Sequence, residues 1–398
     1  MAEGLERSCT TTTLERPAST RERQPALPSY LGSVSDRTRR TGEANESLTS
    51  RVAGPGAATL REEQRSVFRP PFPVVEAKLR PRTSPPVTVP RERLIRRLTA
   101  EPRNPIVSVT APPGYGKTVL LSQWVAQEER GVAWLTLDDL DNDPSVFITN
   151  LASSIDRVRP IDASMGSAIA VHGHRILATA VPRIAWELSR WEQPGLLVLD
   201  DVHQLTDRTC LDALTQLLDL LPPGFQVAMA ARADLDLPLA RYRAQQALLE
   251  LGGADLALDP EETLALVSAM GEPLDATEAR LLSERAEGWA AGIYLLTLER
   301  TRHDGGQDAT DISGKVGYVA EYLRAELERD LSDNDVALLT RTSILDVIEP
   351  SLAESVAAVP SAEERLSSLA HANQLIGRIE GTGVAFRYHA LLRDFLAA

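Results

Sequence analysis

The sequence predicts an α/β fold in which a parallel β-sheet with helices on both faces precedes a mostly helical C-terminal part. Two observations predict this. Between residues 106 and 231, short apolar runs typical of buried strands alternate with stretches of helical spacing. Beyond about residue 250 the strand pattern fades, and helical patterns follow one another. With 398 residues, the chain is long enough for two or three domains.

Residues 1–70 are predicted to be a disordered extension, or sequence translated from upstream of the true start. They mix Ser, Thr, Arg and Glu and contain only two aromatic residues, Tyr30 and Phe68. Such a segment cannot bury enough apolar surface to offset the entropy lost on ordering. The chain then stays proline-rich and extended up to Pro90, and a short helix is predicted from Arg91.

Residues 71–252 are predicted to form the domain that holds the sheet. Helical spacing between the strands is clearest at Leu211, Leu214 and Leu218. The four predicted strands are Ile106–Ala111, Val132–Leu137, Leu196–Asp200 and Gln226–Ala231.

Residues 253–329 are predicted to form a helical domain, with helices at 260–270, 276–286, 289–301 and 316–329. In residues 330–398, three short helices at 332–342, 350–358 and 361–371 precede two strands at 374–379 and 384–388. Three helices followed by a β-hairpin are typical of a winged-helix domain. This last region has five arginines and no lysine against a larger number of acidic residues, a poor surface for the DNA backbone.

Composition excludes several classes of protein. The net charge is −14, and residues 1–70 hold 11 arginines against nine acidic residues, so the acidic excess lies entirely in the rest of the chain. This argues against a broad nucleic-acid footprint. No apolar run approaches the roughly 20 residues of a membrane helix, and Glu3 and Glu6 occupy the place where a signal peptide is basic. We therefore expect a cytoplasmic protein with no membrane partner. Cys9 and Cys210 are the only cysteines, which agrees with a reducing compartment.

The segment from Ala111 to Thr118 has the pattern of a phosphate-binding loop, placed between a strand and an apolar helix. Gly114 and Gly116 would turn backbone N–H groups toward phosphate oxygens, with Tyr115 and Val119 completing the loop and the first helical turn. Lys117 would reach the β- and γ-phosphates, and the Thr118 hydroxyl would bind Mg²⁺. Ala111, at the end of the strand, stands where the consensus pattern G-x-x-x-x-G-K-S/T has its first glycine.

Acidic and basic residues at the ends of the next strands complete a predicted ATPase site. Asp200 and Asp201 follow four aliphatic residues, and Arg232 follows the strand that ends at Ala231. We expect Asp200 to lie on the Mg²⁺ side and Asp201 to polarise the attacking water. Arg232 would approach the γ-phosphate. A GTPase of the Asn/Thr-Lys-x-Asp kind is excluded, because none of Lys78, Lys117 and Lys315 has an aspartate two residues later.

Taken in order, these motifs resemble the ATPase core of the MalT-type, large LuxR-family transcriptional regulators, which are signal-transduction ATPases of the STAND class. The resemblance covers about residues 70–398. It rests on Lys78–Leu98, Gly114–Thr118, Asp200-Asp201 with His203, Arg232 ahead of Leu237–Arg241, Gly288–Gly292 and Tyr388–Leu396. Ala290 stands where the family has the proline of a Gly-x-Pro motif near the adenine.

The resemblance implies a mechanism and further site residues. The segment containing Arg91 would lie against adenine, and His389 would touch the β-phosphate of ADP. ADP would hold the chain closed, whereas an inducer, of unknown identity, together with ATP would favour an open, self-associating state. DNA would be bound only through a C-terminal domain that is absent from this chain.

The function predicted from the sequence is therefore an ATP/ADP-dependent switch of a transcriptional regulator, with slow hydrolysis and with Mg²⁺ as cofactor. Two alternatives stay open at this point. One is a stand-alone AAA-type ATPase that works in a ring, and the other is an inactive, truncated remnant of a regulator.

Overall fold

The computed structural model describes residues 68–83, 85–100, 103–170, 175–302, 317–372, 375–379 and 383–398. All of them belong to one compact unit, Leu60–Ala398. Almost all of the predicted N-terminal extension lies outside these ranges, as do residues 380–382 between the two predicted strands of the hairpin. In the described ranges, no helix combines the length and the apolar character needed to cross a membrane.

The central element is a sheet of five parallel strands: β1 (Ile106–Thr110), β2 (Val132–Thr136), β3 (Leu196–Asp200), β4 (Gln226–Ala231) and β5 (Leu248–Leu251). Their order is β2-β3-β4-β1-β5. The four strands predicted from the sequence are present, whereas β5 was missed. It is a four-residue edge strand that is only partly buried, so it has no extended apolar run.

Helices cover both faces of the sheet: α1 (Glu92–Thr99), α2 (Lys117–Ala126), α3 (Pro144–Asp156), α4 (Ser164–Ile169), α5 (Arg175–Ser189), α6 (Arg208–Asp219) and α7 (Leu239–Ala244). Alternate residues of a strand enter different cores. In β3, Leu197 and Leu199 pack in the core with α3, α5 and α6, whereas Leu196 and Val198 pack in the core with α1 and α2. Short 3₁₀ helices lie at Glu76–Leu79, Asp139–Asn142 and Val202–Gln204.

The core that contains α1 and α2 is called the second core below. The next helices add to this core and do not form a separate one. They are α8 (Gly253–Leu256), α9 (Pro260–Ala269), α10 (Ala276–Arg285), α11 (Ala290–Arg302) and α12 (Tyr318–Asp330). Leu266, Ile293 and Leu323 from three of these helices share one apolar cluster with Leu120 of α2. The helical part is therefore joined to the sheet face that carries α1 and α2.

The C-terminal part is a winged helix: α13 (Asp333–Thr342), α14 (Pro350–Ala357), α15 (Ala362–His371), β6 (Ile376–Ile379), β7 (Ala385–Tyr388) and α16 (Ala390–Leu396). β6 and β7 pair antiparallel, and Ile348 bridges to Phe386 of β7. This part has its own core, while Leu391 of α16 packs in the second core. The predicted fold class is confirmed; the boundaries at residues 252 and 329 stay predictions.

Candidate functional site

The loop from Ala111 to Gly116 connects β1, an interior strand of the sheet, to α2. Gly114 and Gly116 have φ values of +80° and +83°, in the left-handed region that favours glycine. Gly116 is the N-cap of α2, and a Cβ built on it would meet nothing within 4 Å. The first turn of α2 therefore begins beside open space, where its N–H groups can bind an anion.

Lys117 is buried at the start of α2, with 8% of its surface exposed. Its ammonium group donates hydrogen bonds to the carbonyl oxygens of Ala111 (2.7 Å) and Pro112 (3.1 Å). Burial, together with the positive charge of Arg232, lowers the pKa of Lys117 to about 8, although Asp200 and Asp201 oppose the shift. The loop thus holds a cation that is only partly compensated by its surroundings.

Thr118 and Asp200 come together from α2 and the end of β3. The Thr118 hydroxyl lies 2.9 and 3.1 Å from the two carboxylate oxygens of Asp200. Asp200 is 1% exposed, and burial together with the neighbouring Asp201 raises its pKa to about 6. A hydroxyl beside a carboxylate is an oxygen donor set that suits Mg²⁺ when phosphate oxygens complete the shell.

Asp201 lies at the rim of this site, with a left-handed backbone (φ 60°) and a side chain that is 24% exposed. Its carboxylate oxygens lie 3.8 Å from Arg82 Nη2 and 3.9 Å from His203 Nδ1. The contact with Arg82 was not predicted. Arg82 belongs to the Lys78–Leu98 segment that carries the family resemblance, but nothing in that segment identifies its partner. The predicted water-activating carboxylate is therefore flanked by a basic side chain.

Arg232, directly after β4, is paired with the helical part of the protein. Its Nη1 donates a hydrogen bond to Glu326 Oε2 of α12 at 3.1 Å. The contact of Glu326 with Arg232 also was not predicted, because the sequence does not distinguish Glu326 from the other acidic residues of α12. The structure therefore links the predicted γ-phosphate contact to α12.

A cavity of about 380 Å³ adjoins Gly114 and Gly116. The hydrogen bond from Gln123 Nε2 of α2 to the Val89 carbonyl (2.8 Å) fixes one of its walls. The cavity is lined mainly by apolar groups: residues 85–89, Arg91, Val119, Leu258, Leu266, Ala290, Ala291 and Tyr294. An apolar cavity that opens onto a phosphate loop has the shape and chemistry to hold a nucleoside.

Two other predicted site residues are held by the protein itself. The Arg91 guanidinium borders the cavity but donates to the Leu256 carbonyl (2.7 Å) and lies 3.2 Å from Glu262. Tyr115 is buried in the second core, and burial raises its pKa to about 12. Its side chain anchors the loop in the core, so that only its backbone is placed to contact a phosphate.

His389 meets the loop through Trp289. The Trp289 indole donates to the Pro113 carbonyl (2.9 Å), and its ring lies edge-on to the His389 ring at 5.7 Å. His389 Nε2 is 3.0 Å from the Ala286 carbonyl, and its Nδ1 accepts from the Leu391 N–H. The predicted contact of His389 with a β-phosphate stays a prediction. Trp289 was not predicted as a site residue. It belongs to the Gly288–Gly292 motif, and that motif was the sequence feature that could have pointed to it.

Comparison with known proteins supports the two parts of the fold, the sheet domain and the winged helix. Residues 101–236 match the AAA domain family, and residues 324–398 match the MalT winged helix domain family. The chain is MalT-like. It is 28% identical over 314 residues to the HTH-type transcriptional regulator MalT of Yersinia enterocolitica, and 26% identical to that of Cronobacter sakazakii.

The alignment with each of these two relatives covers 78% of the MalT-like chain and 35% of the relative. The chain therefore spans about a third of their length. Among solved structures, a Walker-type ATPase of Pyrococcus abyssi is similar in fold, with a TM-score of 0.57 at 15% identity. That match covers 80% of the MalT-like chain and 99% of the archaeal chain.

Proposed function

We propose that this MalT-like chain binds ATP and ADP and acts as the switch of a transcriptional regulator, with slow hydrolysis that resets it. One observation supports this most strongly. The cavity beside the phosphate loop is lined both by residues 85–89 and Val119 of α2 and by Leu266 and Tyr294 of α9 and α11. A nucleotide bound there would contact α2 and the segment before the sheet as well as the helical part.

In this proposal each binding group has a defined role. The base and ribose occupy the apolar cavity, the N–H groups from Gly114 to Val119 surround the phosphates, and Lys117 contacts the β- and γ-phosphates. Thr118 and Asp200 hold Mg²⁺, which neutralises phosphate charge when bound. The loop and the donor pair have the residue types and the proximity that this requires.

Slow hydrolysis follows from the surroundings of two side chains. Asp201 is proposed to orient water, but Arg82 lies 3.8 Å from its carboxylate. Arg232 is proposed to stabilise the γ-phosphate, but Glu326 accepts a hydrogen bond from it. Arg232 must leave Glu326 before it can reach a γ-phosphate, and Arg82 competes with water for the Asp201 carboxylate, so we expect low turnover.

The ion pair between Arg232 and Glu326 can distinguish ATP from ADP. A γ-phosphate would compete with Glu326 for Arg232, whereas ADP would leave the pair in place. A ligand shifts an equilibrium only through different contacts in the two states, and this pair supplies such a difference. ATP would thus loosen α12 and, together with an inducer, favour an open, self-associating form.

The experiment is gentle purification followed by four measurements: bound nucleotide, steady-state ATP turnover, molecular mass, and the melting temperature with and without added ADP. We expect close to one ADP per chain, little turnover and no hexamer. Hexamers that hydrolyse ATP steadily would instead favour the ring ATPase. A chain without bound nucleotide, whose melting temperature does not rise on addition of ADP, would contradict nucleotide binding altogether.

A further inference from the structure

We propose that Trp289 is a positioning residue for the phosphate loop, and that it links the loop mechanically to α12 and to the winged helix. This inference rests on the proposed function, because it assigns Trp289 a role in nucleotide binding. It goes beyond a packing role for a buried indole.

The first observation is a pair of hydrogen bonds to adjacent residues of the loop. Trp289 Nε1 donates to the Pro113 carbonyl at 2.9 Å, and the Ala291 N–H donates to the Gly114 carbonyl at 3.0 Å. The start of α11 thereby fixes the orientation of two consecutive peptide groups in the loop. Those peptides lead directly into Gly116 and the first turn of α2, whose N–H groups must converge on a phosphate.

The second observation is how closely Trp289 approaches the loop. A Cβ added to Gly114 would lie 2.6 Å from Trp289 Nε1 and 2.6 Å from the Ala291 Cβ. Trp289 itself is fully buried. The loop and the start of α11 are therefore in direct contact, so a change in one must be accommodated by the other.

The third observation is the set of contacts on the far side of the indole. Its ring lies 5.6 Å from the Tyr322 ring of α12 and 5.7 Å from the His389 ring at the start of α16. Tyr322 is one helical turn before Glu326, so both lie on one face of α12. Glu326 in turn binds Arg232. Trp289 thus contacts the loop, α12 and the winged helix at once.

Trp289→Phe tests the role, because it keeps an aromatic ring and removes the indole donor. By calorimetry we expect the affinity for ADP to fall about 10-fold, the loss typical of one buried hydrogen bond. The affinity for adenosine, which has no phosphate and uses only the apolar cavity, should change less than about twofold.

Two other buried tryptophans provide matched controls. Trp134 donates its indole hydrogen to Thr136 (2.9 Å), so Trp134→Phe also removes one buried hydrogen bond. Trp124 is fully buried, and its indole nitrogen has no hydrogen-bond partner among the described residues. We expect Trp134→Phe and Trp124→Phe both to keep the wild-type ratio of ADP affinity to adenosine affinity.

An equal loss for ADP and adenosine in Trp289→Phe, or the same ADP-specific loss in Trp134→Phe, would overturn the inference. Failure of the wild type to bind ADP would instead reject the proposed function itself. If Trp289→Phe does not fold, indole N–H resonances of the wild type decide the question, since the other four tryptophans can be assigned by substitution. The Trp289 signal should shift with ADP and not with adenosine; a signal unchanged by ADP would contradict the role.

Discussion

Lys117 and Asp200 are both buried beside the phosphate loop, and burial shifts the pKa of each toward its neutral form. Shifts of this kind are common where charged ligands bind, because the ligand supplies the missing charge partner. A phosphate would stabilise the Lys117 ammonium, and a divalent cation would stabilise the Asp200 carboxylate. The two residues therefore allow separate tests of the phosphate site and the metal site.

Lys117→Ala removes the ammonium that lies inside the loop. We expect the dissociation constant for ADP to rise by roughly 100-fold or more, because a hydrogen bond to a charged group contributes up to about 3 kcal/mol. Calorimetry measures the change, and the melting temperature without nucleotide shows whether the variant is folded. Equal ADP affinity in a folded Lys117→Ala protein would refute the assignment of the loop.

Asp200 makes the effect of Mg²⁺ depend on pH. Its pKa of about 6 lies above the ordinary value for aspartate, so the carboxyl group is protonated below that pH and cannot bind Mg²⁺ well. The gain in ATP affinity on adding Mg²⁺ should shrink between about pH 7.5 and about pH 5.5. Asp200→Asn should show a small gain at every pH. A wild-type gain that is flat across this range would contradict the role.

Among single residues, those of the loop and of the strand ends could be predicted from the sequence, because their spacing follows a local pattern. The contacts of Trp289, Glu326 and Arg82 could not be predicted in the same way, although Trp289 and Arg82 lie in segments that carry the family resemblance. Each contacts the site across a long stretch of chain: Trp289 is 176 residues from Pro113. A tryptophan in an apolar helix start, or a glutamate on an acidic helix, has no local feature that identifies its partner.

Among the elements, the connection from β1 to α2 depends on the backbone of Gly116. Gly116→Ala should destabilise the protein by about 1 kcal/mol, because alanine is strained at positive φ. Gly271 also has positive φ and open space around a Cβ, in the turn after α9, so Gly271→Ala should cost a similar amount. Only Gly116→Ala should weaken ADP binding. Chemical denaturation and calorimetry measure the two effects, and an equal loss of ADP affinity in both variants would argue against a phosphate site here.

The link between β4 and α12 gives a second prediction. Glu326→Gln weakens the partner of Arg232, so ATP should compete more easily, and the affinity for ATP relative to ADP should rise roughly 3- to 10-fold. Glu321→Gln changes an exposed residue at the start of the same helix and should leave the ratio unchanged. Competition binding with both nucleotides measures the affinity for ATP relative to ADP. An unaltered ratio in Glu326→Gln would contradict a switching role for the ion pair.

Most helices and strands could be predicted because their apolar periodicity is regular. The three helices and two strands of the winged helix lie within about two residues of their expected bounds. β5 could not be predicted, because its pairing with β1 supplies order that its short sequence lacks. The sharing of one core by α2, α9, α11 and α12 also could not be predicted, since periodicity shows that a face is apolar and not what it packs against.

Across the whole molecule, the cavity, the loop and the winged helix form one connected set of contacts. α16 reaches the second core through Leu391, and His389 reaches the loop through Trp289. A nucleotide that alters α12 or α11 should therefore alter the start of α16. The proposed switch requires this coupling, whereas nucleotide binding alone does not.

Hydrogen exchange at residues 385–396 measures that coupling directly. With saturating ADP the backbone N–H groups of β7 and α16 should exchange slowly, and with a non-hydrolysable ATP analogue they should exchange faster. Lys117→Ala should show no difference between the two conditions. Identical exchange with ADP and with the ATP analogue, when calorimetry shows that both are bound, would contradict a nucleotide switch.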